Sequence, residues 1–177
     1  NAGHTILIGD NKYIFHLIPS GILHDKKGKI NIIGRGVALD PSIMCQELET
    51  LEKSNLTYDN LLISQRAKLV LPQHIVMDRI RETQKKGKLG TTGRGIGPVY
   101  EDFYSRKGLF VVDLFNIDHF VERLKNNLED KVTFLRSFDH QTIKQLMKHS
   151  ILSNVLYWSE KEIFNVDAII EQYKKYA

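Results

Sequence analysis

The chain has 177 residues, of which 42% are hydrophobic and 26% charged, a balance typical of one globular domain with a buried core and not of a disordered chain. Its net charge of +4 comes from 25 basic and 21 acidic residues spread along the sequence, so we predict no basic face for nucleic acid. No apolar run approaches the roughly 20 residues of a membrane span, and the single cysteine, Cys45, excludes an internal disulfide and favours a reducing, cytoplasmic location.

Residues 1–71 are rich in short β-branched segments and are predicted to hold most of the strands. Two such segments, 4–8 and 13–18, flank a turn at 9–12, and this arrangement predicts a β-hairpin. The remaining strands of this region are predicted at residues 30–33, 61–64 and 68–71, and the apolar residues 37–39 follow the Gly-Arg-Gly segment at 34–36.

One helix is predicted within this strand-rich region. Asp40 is a suitable N-cap, and Pro41 fits the first helical position, where its missing N–H costs nothing. Apolar residues then recur at i, i+4 and i+7, which predicts a helix that ends near residue 53.

Residues 72–115 are organised around the glycine-rich segment Gly-Thr-Thr-Gly-Arg-Gly-Ile-Gly-Pro at positions 90–98. Pro72 opens a helix before this segment, and Pro98 fits the first turn of a second helix after it. A glycine loop that leads into a helix N-terminus is a phosphate-binding arrangement, because free N–H groups and the helix dipole both favour an anion. The alternative is a flexible loop that covers a core, since the spacing matches neither of the general phosphate-loop motifs.

The last part of the chain is predicted to be helical. After an extended segment at 109–112, Asn116 caps a helix with a clean apolar stripe, and Asp139 and Asn165 cap two more. We therefore predict a single mixed α/β domain with a strand-rich part at 1–71, a loop region at 72–115 and a helical part at 116–177.

Five residues at the start of the chain combine groups that can take part in catalysis. Asn1 to Thr5 read Asn-Ala-Gly-His-Thr and lead into the first predicted strand. His4 is placed to act as a general acid or to donate to a phosphoryl oxygen, although an isolated histidine is more often structural. His16 is interpreted as structural, the other histidines show no metal-ligand spacing, and Cys45 is predicted to be a small buried residue without a catalytic role.

Taken together, these segments resemble the adenylosuccinate synthetase family, whose members are GTP-dependent ligases that join IMP to L-aspartate. The most specific segment is Gly-Thr-Thr-Gly-Arg-Gly-Ile-Gly-Pro-Val-Tyr-Glu-Asp at 90–102, and the similarity spans essentially the whole chain in the family's order. The supporting segments are 1–5, 16–23, 33–37, 61–64, Arg106 and 112–115.

The resemblance implies a fold and a reaction. The parent fold would be α/β, a mostly parallel central sheet flanked by helices and similar to the P-loop GTPases. An aspartate base would remove the N1 proton of IMP while the 6-oxygen attacks the γ-phosphate of GTP, and the aspartate amine would then displace phosphate from the 6-phosphoryl intermediate. Phosphoryl transfer of this kind needs positioning and neutralisation of charge. Mg²⁺ would be the cofactor, and the enzyme would be a cytoplasmic homodimer.

The same resemblance implies roles for residues near the start of the chain. His4 would be the general acid that touches the transferring phosphoryl group. Gly3 would ligate Mg²⁺ through its carbonyl, and Gly3, His4 and Thr5 would line the GTP phosphates. Asn1, Ala2, Gly3 and His4 would belong to the IMP site.

Three residues of the later segments also receive roles from the resemblance. Thr92 would hold IMP, Arg94 would lie near the substrate aspartate, and Arg106 would reach the IMP phosphate of the neighbouring subunit. Geometry supports a separate task for Arg106: if residues 98–106 form one helix, Arg106 lies about 12 Å along its axis from an anion at the N-terminus. The alternative is a surface arginine that balances the helix dipole.

Two positions depart from the family pattern, and both ends of the chain look cut. Phe103 stands where members often carry Lys, so a ligand contact by a lysine would be missing, and Arg35 stands where Asn is common. The chain starts at Asn1 and ends inside a predicted helix, so we expect a fragment of a longer protein that lacks the phosphate loop with its catalytic Asp and the C-terminal region. Alone it is expected to be inactive, and the alternative function is a nucleotide-binding or dimerisation module without catalysis.

Overall fold

The computed structural model describes residues 3–24, 28–84, 92–147 and 163–177. In these ranges the chain forms strands β1 His4–Ile8, β2 Asn11–Phe15, β3 Asn31–Ile33, β4 Ala38–Leu39, β5 Leu61–Ile63 and β6 Lys68–Leu69. The helices are α1 Pro41–Lys53, α2 Pro72–Gln84, α3 Ile96–Tyr104, α4 Ile117–Leu135, α5 His140–Met147 and α6 Val166–Lys174, with 3₁₀ turns at Ser20–Leu23 and Val111–Phe115.

Strands β1 and β2 form the predicted hairpin. They pair antiparallel, with His4 opposite Phe15 and Ile8 opposite Asn11. The turn between them places Gly9 at a positive φ, a conformation that glycine adopts at little cost. The second strand was predicted at 13–18 but ends at Phe15, because the next three backbone N–H groups donate to the side chain of Glu47 instead of to a strand.

The other strands form two parallel pairs, β3 with β5 and β4 with β6. Asn31 pairs with Leu61 and Ala38 with Lys68, which is the same offset in both pairs. The two pairs therefore continue one another as a two-stranded parallel ribbon, which is interrupted at residues 34–37 on one side and at residues 64–67 on the other. Helix α1 forms the crossover connection between the two sides. This confirms the predicted mixed α/β class, whereas the likeness of the parent fold to P-loop GTPases stays a prediction.

The predicted start and end of α1 are confirmed. The side chain of Asp40 accepts hydrogen bonds from the backbone N–H groups of Ser42, at 2.9 Å, and Ile43, and Pro41 is the first helical residue. One face of α1 packs on the hairpin and on β3 to form a first hydrophobic core. Its buried members include Phe15, Ile18, Ile22, Ile33, Met44 and Leu51.

A second hydrophobic core lies under the C-terminal helices. Helices α2, α4, α5 and α6 contribute to it, and the predicted caps Asn116, Asp139 and Asn165 each accept a hydrogen bond from a backbone N–H at the start of α4, α5 and α6. The ring of Tyr173 stacks on Phe120 with 5.6 Å between centroids, and its hydroxyl donates to the Val70 carbonyl at 2.6 Å. No helix among these described residues is long and apolar enough to cross a membrane.

Two predictions around the glycine loop are corrected. Helix α3 begins at Ile96, two residues before Pro98, and ends at Tyr104, so Arg106 lies outside it with a positive φ of 65°. The extended segment predicted at 109–112 is only a single bridge between Phe110 and Lys68, because the carboxylate of Asp113 accepts the Phe110 N–H at 2.7 Å and turns the chain into the 3₁₀ turn.

Candidate functional site

His4 lies in β1 with part of its imidazole buried. Its ring meets the ring of Phe15 edge-on, with 6.2 Å between centroids. The Nε2 atom is buried and has no hydrogen-bond partner within the described ranges. Because an unpaired buried polar atom is costly, this nitrogen is suited to a partner that is not part of the described protein.

Gly3 is required by the histidine on the neighbouring strand end. A Cβ atom at position 3 would lie 2.7 Å from Cδ2 of the His16 ring, so a larger residue would displace that ring. The buried carboxylate of Glu47 in turn holds His16: it accepts the His16 N–H at 2.5 Å and lies 3.3 Å from the ring Nδ1. His16, interpreted from sequence as structural, thus packs directly against the predicted site, and only its distance of 13 residues from Gly3 concealed this.

A cleft joins this N-terminal segment to the glycine loop. His16 and Leu17 line it together with Arg94 and Ile96, and the other lining residues are Ala38 of β4, the α1 cap Asp40, and Ile43. Burial raises the pKa of the Asp40 carboxyl, although the N–H groups that it caps and the charge of Arg94 act in the opposite direction. The structure therefore brings Arg94 into the same small cleft as His16, the residue that contacts Gly3.

Gly95, the last glycine before α3, packs against α2. Gly95 has φ 77°, and a Cβ there would come within 2.7 Å of the His74 backbone, so this glycine allows α3 to pack on α2. Its N–H donates to the carboxylate of buried Asp78 at 2.9 Å. A carboxylate of the protein thus takes the Gly95 N–H at the N-terminus of α3. Gly90 and Thr91 of the loop lie outside the described residues, and a phosphate at this loop stays a prediction.

The structure places the remaining predicted residues as follows. Thr92 is exposed beside Gly93, and Thr5 is exposed on β1. Asn1 and Ala2 lie outside the described residues, as do positions 85–91.

Arg106 lies at the other end of α3 from Arg94. The last turn is a Schellman motif, in which the Lys107 N–H donates to the Asp102 carbonyl at 2.8 Å and the Arg106 N–H to the Phe103 carbonyl at 3.1 Å. The left-handed position of this motif usually holds glycine, and an L side chain there costs about 1–2 kcal/mol. Arg106 thus stands in a conformation that an arginine adopts only when the surrounding contacts hold the turn.

A buried polar network lies beneath that turn. Three donors converge on Oδ2 of Asp102: His74 Nε2 at 2.8 Å, Asn127 Nδ2 at 2.6 Å and Lys131 Nζ at 2.6 Å. Burial alone would raise the pKa of Asp102, but the bonds from His74, Lys131 and Asn127 lower it strongly. Gln73 completes the network by donating to the Asn127 side chain at 2.9 Å, so α2, α3 and α4 are joined through one carboxylate.

This network predicts how stability depends on pH. The Leu71 N–H donates to Nδ1 of His74, so the ring proton lies on Nε2, and burial lowers the pKa of His74. The unfolded chain binds a proton at His74 near pH 6.5 whereas the folded chain does not, so the free energy of unfolding should fall by up to about 1.4 kcal/mol per pH unit below that value. We expect urea unfolding between pH 7 and 5 to show a smaller slope in His74→Gln, and equal slopes would contradict a neutral buried His74.

Both departures from the family pattern lie beside one buried lysine. The Nζ atom of Lys68 lies 4.2 Å from the centroid of the Phe103 ring and 5.2 Å from that of Tyr100, and it donates to the Arg35 carbonyl at 3.0 Å. Burial lowers the pKa of Lys68, and the charge of Arg35 lowers it further. A lysine at 103 would bring a second ammonium to this place, whereas the Phe103 ring offers its face to the cation.

The described residues hold no group of three or more His, Cys, Asp or Glu side chains that could bind a metal ion. Mg²⁺ is usually held by one or two protein oxygens with waters and substrate phosphates as its other ligands. A single carbonyl oxygen at Gly3 fits that pattern as a partial ligand.

Comparisons with known proteins match this chain to the same family that its sequence segments resemble. The family model described as adenylosuccinate synthetase matches residues 1–176. The adenylosuccinate synthetase of Clostridium kluyveri is 43% identical over 99% of this chain, and that of Desulforamulus reducens is 48% identical over 74% of it. The chain spans 37% and 30% of the length of these two relatives.

A solved structure shows the same relation at the level of the fold. The fully ligated adenylosuccinate synthetase from Plasmodium falciparum superimposes with a TM-score of 0.69 and is 29% identical. The alignment covers 99% of this chain and 35% of that one.

Proposed function

Because the chain belongs to the adenylosuccinate synthetase family, we propose that it contributes to a ligase that joins IMP and L-aspartate with the hydrolysis of GTP. The observation that carries the proposal is the buried, unpaired Nε2 of His4 within the matched segment, in the described part of the chain. In the reaction this nitrogen donates to the phosphoryl group as it passes from GTP to the 6-oxygen of IMP.

The other residues position the substrates on either side of this nitrogen. Gly3 and Thr5 line the GTP phosphates, and Thr92 holds IMP together with Asn1 and Ala2. Arg94 lies near the L-aspartate substrate, a role that its place in the shared cleft with His16 supports.

Mg²⁺ would neutralise phosphate charge, with the Gly3 carbonyl as its protein ligand. Arg106 lines a different cleft, together with Arg123, and we propose that it crosses a homodimer interface to the IMP phosphate of the partner's site. The enzyme is proposed to work in the cytoplasm.

A binding or dimerisation module without catalysis is the second candidate, because the chain spans only 37% of a relative's length. Isothermal titration with IMP and GTP and an assay for adenylosuccinate, each on the 177-residue chain and on the complete polypeptide that contains it, separate the two. We expect turnover in the complete polypeptide and none in the 177-residue chain. Binding without turnover in both would favour the module.

Thr92→Ala should weaken IMP far more than GTP. Thr92 lies two residues before Arg94 in the glycine loop, whereas the residues assigned to GTP lie at the hairpin. Loss of one hydrogen bond to a charged group raises Kd roughly 10–100-fold. Isothermal titration of the complete polypeptide measures both ligands.

Thr5→Ala is the matched control variant, because it makes the same Thr-to-Ala change in β1 of the hairpin, where GTP is proposed to bind. It should weaken GTP more than IMP. If both variants weakened both nucleotides equally, the division of the site between hairpin and glycine loop would be wrong.

A further inference from the structure

The conformation of Arg106 depends on a side chain from another helix. Arg106 stands at a left-handed position where glycine is usual, and such strain persists only when neighbouring groups hold the backbone in place. The contacts that hold this turn therefore decide where the guanidinium points.

Carbonyls of Asp102, Lys107 and Gly108 carry these contacts, and that of Gly108 accepts a hydrogen bond from Arg123 of α4. The carbonyl of Asp102 accepts the N–H groups of Lys107, at 2.8 Å, and Gly108, at 2.9 Å. The carbonyl of Lys107, the residue directly after Arg106, accepts a hydrogen bond from Nδ2 of Asn127 at 3.0 Å. The first contact belongs to α3 itself, whereas the second comes from α4.

Asn127 is well suited to hold the turn. It is 1% exposed, and its Oδ1 accepts a hydrogen bond from Gln73 at 2.9 Å. Its Nδ2 bridges the side chain of Asp102, at 2.6 Å, and the Lys107 carbonyl. One amide thus ties Asp102 and Lys107, on either side of Arg106, to the packed core through its Nδ2, while its Oδ1 accepts the separate bond from Gln73.

We propose that Asn127 is a positioning residue for Arg106, holding the turn that aims its guanidinium at the IMP phosphate. The inference rests on the proposed role of Arg106 in IMP binding. It adds a residue of α4 to the machinery for that substrate, although Asn127 itself touches no ligand.

The test compares KM for IMP and kcat in variants of the complete polypeptide. Asn127→Ala removes the bond to the Lys107 carbonyl, and we expect KM for IMP to rise roughly 5–10-fold with little change in kcat. Gly108→Ala is the second variant: its Cβ would lie 3.1 Å from the Phe103 backbone N and so shift the same turn while the network stays intact. It should raise KM for IMP in the same direction, and it keeps the test decisive if Asn127→Ala does not fold.

Gln73→Leu is the matched control, because it removes a buried hydrogen bond of the same network but leaves both bonds from Asn127 Nδ2. It should lower the unfolding temperature without changing KM for IMP. A second readout is KM for IMP after subunit mixing. Asn127→Ala mixed with His4→Asn should form sites with the wild-type KM for IMP, because the His4→Asn subunit supplies a correctly held Arg106, whereas Asn127→Ala mixed with Arg106→Gly should not.

The outcomes separate the two proposals. If Arg106→Gly raises KM for IMP while Asn127→Ala and Gly108→Ala leave it unchanged in folded protein, the positioning role of Asn127 is wrong and Arg106 keeps its role. If Arg106→Gly itself leaves KM for IMP unchanged, the role of Arg106 is wrong and that of Asn127 falls with it.

Discussion

Replacement of His4 by Asn in the complete polypeptide is expected to lower kcat at least ~10²-fold, the scale at which a general acid contributes. Asn keeps a hydrogen-bond donor but has no proton to transfer. The Nε2 of His4 is buried and unpaired in the described structure, so little else in the fold depends on it. Steady-state assays with saturating IMP, GTP and L-aspartate measure the change.

His24→Asn is the control for that prediction, since His24 is exposed and lies outside the proposed site. It should leave kcat unchanged. The unfolding temperature of His4→Asn should stay close to that of the wild type, because its ring makes only an edge contact with Phe15. A His4→Asn protein with nearly normal kcat would reduce His4 to a structural residue.

Loss of Arg106 is expected to raise KM for IMP strongly, so that little activity remains at subsaturating IMP, and to be rescued by a subunit that carries it. Arg106→Gly is the informative variant, because glycine is the usual residue at the left-handed position of a Schellman motif. Its stability should equal or exceed that of the wild type, by up to about 1–2 kcal/mol. Loss of activity would then not be a loss of folding.

Mixing Arg106→Gly with His4→Asn tests whether the site is shared between subunits. Half of randomly formed dimers are heterodimers, and each holds one site with both residues intact, so up to about a quarter of wild-type activity should return. Arg106→Gly mixed with itself is the control. Absence of recovery, with subunit exchange confirmed by mass spectrometry, would place Arg106 in the site of its own subunit or on the bare surface.

Local chemistry made several elements predictable. The cap Asp40 and the following Pro41 determine the start of α1, and the caps Asn116 and Asn165 determine the starts of α4 and α6, because each side chain bonds to a backbone N–H two or three residues away. The hairpin was predictable from its turn. The family membership likewise came from contiguous motifs, and the comparisons confirm it.

Contacts between distant residues decided the rest. From sequence, the glycines at 93 and 95 indicate a phosphate loop, but the carboxylate of Asp78 already takes the Gly95 N–H, and α2 leaves no room for a side chain there. Likewise nothing near Gly3 in the chain indicates that the His16 ring lies against it.

Arg106 depends both on local sequence signals and on contacts with residues that are distant in the sequence. The sequence by itself indicated that Arg106 ends a short helix over 98–106 after the glycine loop, and the family resemblance assigned it a phosphate. Only the tertiary structure decided that it lies outside the helix in a left-handed turn, tied down by Asn127 of α4. The physical reason is that a helix cap or a β-turn depends on hydrogen bonds between residues a few positions apart in the sequence. The left-handed conformation of Arg106 instead depends on a buried network, and the members of that network become neighbours only when α2, α3 and α4 pack together.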